Sequence, residues 1–239
     1  SGNRSETRYR FSLIISSGST RDDSPVFPAQ IGYFRSETLT TSLTHDELGS
    51  SAQRDRRRRI LDATVSLATR GGFDAVQMRG VAEHADVALG TLYRYFPSKI
   101  HLLVSALAGQ FEAAESALGR KPIPGDTSGD RVVFVLRKAT GELQRNPQLT
   151  EALTRAFMFA DNTVAAEIEV VGMQLTSMLT RAMKGPEYVE GEPITEEAVA
   201  IARVIADVWL AALVSWVTGR GTAEDVSARV EMAVHLLLR

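Results

Sequence analysis

The chain contains no cysteine. That removes disulfides, thiolate nucleophiles and Cys-ligated metals from consideration, and it fits a reducing cytoplasm. It has only four histidines, His45, His84, His101 and His235, too scattered to form a triad or a metal cluster. Proline is sparse, at 8 of 239 residues, so little interrupts helical periodicity. To the eye no apolar run is long enough to cross a bilayer, and no basic-then-apolar leader opens the chain, so no membrane partner is expected. These absences leave little room for an enzyme.

What is present is apolar side chain in quantity, at 44% of residues, arranged with helical period. The expected class is all-α, with about nine helices. Net charge is −2 overall, but it is unevenly distributed. Residues 51–100 carry 9 basic and 5 acidic side chains, whereas residues 101–239 carry 13 and 18. Charges are screened over about 10 Å at moderate salt, so a polyanion near the first segment senses its +4 rather than the distal acidity.

Residues 1–50 are rich in Ser, Thr and Arg without steady period and read as a disordered tail. A helix is expected from Gln53 to Arg70, with Ser50 or Ser51 as its cap, Ile60, Thr64, Leu67 and Ala68 inward, and Gly71-Gly72 as its stop. Short helices follow at Met78–Ala85 and Leu89–Phe96, joined by a turn at Asp86-Val87. Pro97 ends the third helix, and Ser98 caps a fourth that runs to Leu118. Beyond the Pro/Gly loop Arg120–Gly129, helices are expected at Asp130–Asn146, Pro147–Phe159 and Thr163–Lys184. A second loop covers Gly185–Ile194. Thr195 then caps a helix to Thr218, and Thr222 one to Leu238. Three domains result: a tail of residues 1–50, a small head of residues 51–98 and a large body of residues 99–239.

Two short helices separated by a tight turn form a helix-turn-helix, whose second helix enters the major groove. Spacing turns Leu92 and Phe96 inward. Gly90, Thr91, Arg94 and Tyr95 are left on or near the outer face. Glycine permits close backbone approach, and Tyr93 and Tyr95 can donate to phosphate oxygens. Lys99, at the start of the next helix, can pair with phosphate while its amides point the same way. Arg56 and Arg57, in the block Arg56–Arg59, supply a second phosphate-facing group. For Arg58 and Arg59 the alternative is packing on the domain itself.

Residues 53–103 resemble the DNA-binding domain of TetR-family transcriptional regulators. The resemblance is carried by RRRRILDAT, the GGF that follows, MRGVAEHA and DVALGTLYRYFPSK. It implies DNA contacts by Gly90, Thr91, Tyr93, Tyr95 and Lys99, and by Gln77, Met78 and Arg79 at the start of the second helix; Leu89 and Arg94 of the same short helix are candidate contacts beside them. The chain departs from the family pattern at Gln77, where Thr or Ser is usual, and at Asp86, where glycine is usual. The body, through QRNPQLTEALTRAFMFAD and ARVIADVWLAALVSW, resembles the actinobacterial members that repress cholesterol catabolism. That likeness begins near Asp46 and implies an effector that is a CoA thioester of a sterol metabolite, with no resident cofactor. It further implies a double-stranded palindromic operator bound by a homodimer. A fatty acyl-CoA or a lipophilic drug is the alternative effector.

Phe157, Met158, Met173, Met178, Trp209, Leu213 and Trp216 offer wide, adaptable surface for such a ligand. Arg145, with Arg137, Lys138 and Arg155, could meet its phosphates. The same aromatics and methionines could equally be ordinary core. Val204, Val208, Ala211 and Ala212, with Val230 and Val234 of the last helix, are the stripes expected at a four-helix dimer interface.

Overall fold

The computed structural model describes residues 51–119, 121–189 and 192–238, so the expected tail and the cap at Ser50 lie outside the described residues. Among the described residues there are nine α-helices and no strand.

α1 (Ser51–Ala75) is continuous to Arg70. Gly71 (φ −153°) and Gly72 (φ 65°) then leave helical geometry, and a last turn carries Phe73 and Asp74. The glycine stop is therefore real in the backbone, although the coil resumes beyond it. Ala63 is buried with Ile60, Thr64 and Ala68, while Leu67 is only half-buried.

α2 (Met78–His84) and α3 (Leu89–Tyr95) are joined through Asp86 at φ 52°. The Val87 amide donates to the Ala82 carbonyl at 3.0 Å, and the Asp86 amide to the Glu83 carbonyl at 3.3 Å. This is the Schellman closure, with aspartate in the place that usually takes glycine. Aspartate tolerates the left-handed region better than most residues, so the turn survives the substitution.

α4 (Lys99–Leu118) begins at Ser98, whose hydroxyl accepts the His101 amide. α5 (Ser128–Arg145) and α9 (Ala223–Leu237) each open on a complete capping box, Thr127 with Asp130 and Thr222 with Asp225. α6 (Pro147–Met158), α7 (Ala165–Lys184) and α8 (Glu196–Val217) complete the body, and a 3₁₀ turn at Asn162–Val164 joins α6 to α7.

Two apolar cores result. The first unites Ile60, Val81, Leu92 and Phe96 of the head with Leu102 and Leu103 of α4, Leu149 and Leu153 of α6, and Val171 of α7. The second gathers Val132 and Leu136 of α5, Met178 and Leu179 of α7, Ile205 and Trp209 of α8, and Val230 and Val234 of α9. Phe111 of α4 packs on both. The head therefore shares its core with α4 and α6.

One expectation fails at α8. This helix is long and apolar enough to cross a membrane by length and composition, with mean hydropathy 1.9 over its most apolar stretch. Arg203 and Asp207 interrupt the run to the eye, while the surrounding alanines, valines and isoleucines keep the average high. In the fold α8 contributes Ile205, Trp209, Ala212 and Leu213 to the second core.

Candidate nucleic-acid interface and its connection to the body

α3 shows the outer face that its spacing predicts. Leu92 and Phe96 are buried, at 0% and 2% exposure, whereas Leu89 and Tyr93 stand out at 37% and 46%. Arg94 and Gly90 are exposed, and Thr91 is half-buried. A β-carbon built on Gly90 would meet nothing within 4 Å, so the backbone there is open to close approach. Tyr95 divides its loyalty: it packs on the first core, with its ring 6.4 Å from that of Phe96. Gly80 in α2 likewise meets no neighbour, so no packing within the chain explains that glycine.

At the start of α2, Gln77 and Arg79 are exposed, and Met78 packs partly on the core. Gln77 caps by backbone geometry only. Its amide nitrogen donates back to the Asp74 carbonyl at 2.8 Å, which leaves its second N–H and its carbonyl oxygen for other partners.

The arginine block sorts in an order the sequence does not reveal. Arg58 and Arg59 are exposed, and Arg58 pairs with Asp55 at 3.2 Å. Arg57 is the one that packs inward, with its guanidinium 5.5 Å from the Phe96 ring centre. Burial lowers its pKa, partly offset by the charges of Glu112 on α4 and Glu167 on α7. Arg57 thus lies against a ring of its own head, in the field of two body carboxylates, where Arg58 and Arg59 face solvent. Arg56 remains half-exposed.

Lys99 lies with its ammonium nitrogen 3.9 Å from the Phe73 ring centre. The Arg155 guanidinium is 4.4 Å from the same ring. Arg155 also pairs with Asp74 and with Glu151, each at 3.5 Å. The Phe73 amide donates to the Glu151 carboxylate at 2.9 Å. Burial lowers the Lys99 pKa, with Asp74 and Glu151 opposing the shift and Arg155 adding to it. A second tie runs from α4 to the α6–α7 turn. His101 Nε2 lies 2.9 Å from the Thr163 carbonyl oxygen, and its Nδ1 is 2.9 Å from the Ser98 hydroxyl. A carbonyl can only accept, so Nε2 carries the proton there, and in the neutral ring Nδ1 accepts from Ser98.

The residues expected to bind a ligand do not form one group. Met178, Trp209 and Leu213 are buried in the second core, with Trp216 packed on it. Trp209 Nε1 donates to the Thr140 hydroxyl at 3.0 Å, and its ring meets Phe111 edge-on at 6.1 Å. Phe157 belongs to the first core. Met158 and Met173 point outward, at 50% and 37% exposure. Arg145 is exposed and pairs with Glu142 at 2.7 Å, and Arg137 pairs with Glu231 at 2.6 Å. Lys138 is exposed. Sequence reasoning missed Phe111, because a lone aromatic on a helix that is apolar on several sides carries no distinctive spacing.

The interface expectation divides too. Val204 is 46% exposed, Ala211 is exposed and Val208 half-buried. Ala212, Val230 and Val234 are corrected: they are buried inside this chain's own second core and cannot face a partner. α9 is apolar on two faces, and the outward one carries Met232 and Leu236, at 67% and 59% exposure. Among the described residues no group of three or more His, Asp or Glu side chains could hold a metal ion.

Comparison with known proteins agrees with this geometry. Residues 60–106 match the model described as bacterial regulatory proteins, tetR family, and residues 125–237 match the tetracyclin repressor-like C-terminal domain. The chain is 55% identical over 201 residues to the HTH-type transcriptional repressor KstR of Mycolicibacterium smegmatis, covering 84% of this chain and 96% of that one. It is 53% identical over 196 residues to the KstR of Mycobacterium tuberculosis, covering 82% and 86%. A TetR transcriptional regulator from Rhodococcus sp. RHA1 superposes with a TM-score of 0.70 at 32% identity, over 78% of this chain and 97% of that one. The chain belongs to the TetR family of transcriptional regulators, which are DNA-binding proteins rather than enzymes.

Proposed function

We propose that this regulator is a cytoplasmic, homodimeric repressor of sterol-catabolism genes, released from a palindromic operator by a CoA thioester of a sterol metabolite. The observation that carries the reading is identity above half, along more than four-fifths of the chain, with repressors named KstR, joined to an outward α3 face bearing Gly90, Thr91, Tyr93 and Arg94. Phosphate contacts from Lys99, Arg79 and Arg56 would fix register, and the α3 side chains would read base edges.

A two-fold partner is needed for two heads to reach major grooves about 34 Å apart. Val204, Val208 and Ala211 on α8 and Met232 and Leu236 on α9 are apolar side chains left wholly or partly in solvent, and they would supply its apolar contacts. Exposed side chains of this size gain from burial against their own symmetry copies.

The proposed effector site lies where the two cores meet at Phe111, beside Trp209, Met178, Leu213 and Trp216. Two buried polar atoms on α7, Gln174 Oε1 and Thr180 Oγ1, lack a hydrogen-bond partner. Buried polar atoms are rarely left so, and an oxygenated apolar ligand could satisfy them. A ligand releases DNA only if it binds the DNA-incompetent state more tightly.

The test selects the operator from random duplexes and then measures its release by the CoA thioester of a sterol carboxylic acid and by lauroyl-CoA. Recovery of a palindrome released by the sterol thioester alone is expected. Release by lauroyl-CoA alone moves the regulator to fatty-acid control, and binding without sequence preference removes the repressor reading.

A further inference from the structure

Phe73 stands where the head meets the body. It follows the Gly71-Gly72 break, so its backbone is not held by α1's regular ladder. What holds it comes from α6: Glu151 accepts its amide, Arg155 lies against its ring, and Arg155 also pairs with its neighbour Asp74. Gly72 leaves room for the same carboxylate, since a β-carbon there would sit 2.7 Å from Glu151 Oε2. The ring's second cation is Lys99, the first residue of α4. Phe73 thus joins the end of α1, the start of α4 and, through Glu151 and Arg155, the middle of α6.

We propose that this cluster is the joint that sets the angle of the reading head, with Glu151 and Arg155 acting as positioning residues for operator binding. Neither lies on the α3 face, and neither needs to touch DNA. Their effect is to fix how the end of α1 is seated against α6. Lys99 belongs to both the joint and the expected phosphate surface. The variants tested below keep Lys99 and alter only the α6 side of the cluster. A displacement of α6 from within the body would move Glu151 and Arg155 together and carry Phe73 with them.

The inference rests on the dimeric reading above, because head angle matters only when two heads must match two half-sites. The experiment compares Glu151→Ala and Arg155→Ala with wild type on two duplexes: the selected palindrome and a single half-site. The half-site engages one head and is indifferent to angle. Each variant is expected to bind the half-site as wild type does and to bind the palindrome about fivefold or more weaker. Glu151→Gln keeps an acceptor for the Phe73 amide and should recover most of the loss. Circular dichroism melting confirms that each variant is folded, and Arg155→Lys stands in for Arg155→Ala if that variant is not. A wild-type palindrome preference that the alanine variants keep in full overturns the joint alone. Equal loss on both duplexes also overturns it, because the residues would then be contributing to contact or folding rather than to angle. A wild-type chain that binds both duplexes equally overturns the dimeric reading, and the joint with it.

Discussion

Gly72 combines two constraints that seldom meet at one residue. Its φ of 65° lies in the left-handed region, and an added β-carbon would intrude on the Glu151 carboxylate. With ψ at −159° this is a region open essentially to glycine alone, and it costs a residue with a side chain on the order of 1–3 kcal/mol. Gly72→Ala should therefore lower unfolding free energy by at least that amount, read as a shifted urea midpoint with unchanged slope. Tyr93 offers the opposite case. It is exposed on α3, so Tyr93→Phe should leave stability and dimer mass unaltered while weakening operator binding in a gel shift. Wild-type affinity in the double variant Tyr93→Phe, Lys99→Ala would remove both from the DNA surface. What spacing could say about such residues was which side they face. It could not say that Arg57, rather than Arg58 or Arg59, is the arginine that packs inward, because four consecutive cations carry no pattern by which to choose among them. That choice is made in space by Phe96, Glu112 and Glu167.

Helix boundaries were legible wherever the chain spends special residues on them. Thr195, Thr222 and Ser98 cap as expected, and the glycine stop falls where it was read. α5 begins two residues before its expected start, at Ser128, because Thr127 and Asp130 form a reciprocal box. The acid partners of these boxes tie helix formation to pH. Asp130 is held below its ordinary pKa by its bonds with Thr127, and Asp225 likewise by those with Thr222. A carboxyl with a depressed folded-state pKa stabilises the fold above its unfolded value, about 3.9, and loses that contribution as pH falls through the lower folded value. Replacing both with asparagine should lower the thermal midpoint at pH 7, and by progressively less as pH falls below about 3.9 and the wild-type carboxyls take up protons. A gap that persists undiminished in acid would mean that their charge is not what stabilises the boxes. The joint at Phe73 was illegible for a different reason. Glu151 lies 78 residues from the amide it accepts, and nothing local marks it.

At the scale of the whole molecule, the apolar stripes of α8 and α9 were legible as stripes but not as inside or outside. Period alone cannot separate a face buried in its own chain from one awaiting a partner. Burial makes the separation: Val226, Val230 and Val234 fill the second core, while Met232 and Leu236 on the other face of α9 stay in water. The proposed dimer therefore hangs on the outer pair together with Val204 and Ala211. Linking two heads through such a face converts the second half-site into an intramolecular event, a gain of roughly 10²–10⁴ in avidity when the geometry matches. Met232→Glu with Leu236→Glu would place two pairs of like charges across a two-fold axis while leaving the chain's own core intact. The expected product is a folded monomer in analytical ultracentrifugation, with half-site binding retained and palindrome binding about a hundredfold weaker. A variant that remains dimeric would place the partner on another face, and the spacing of the heads would then have to be derived from that face instead.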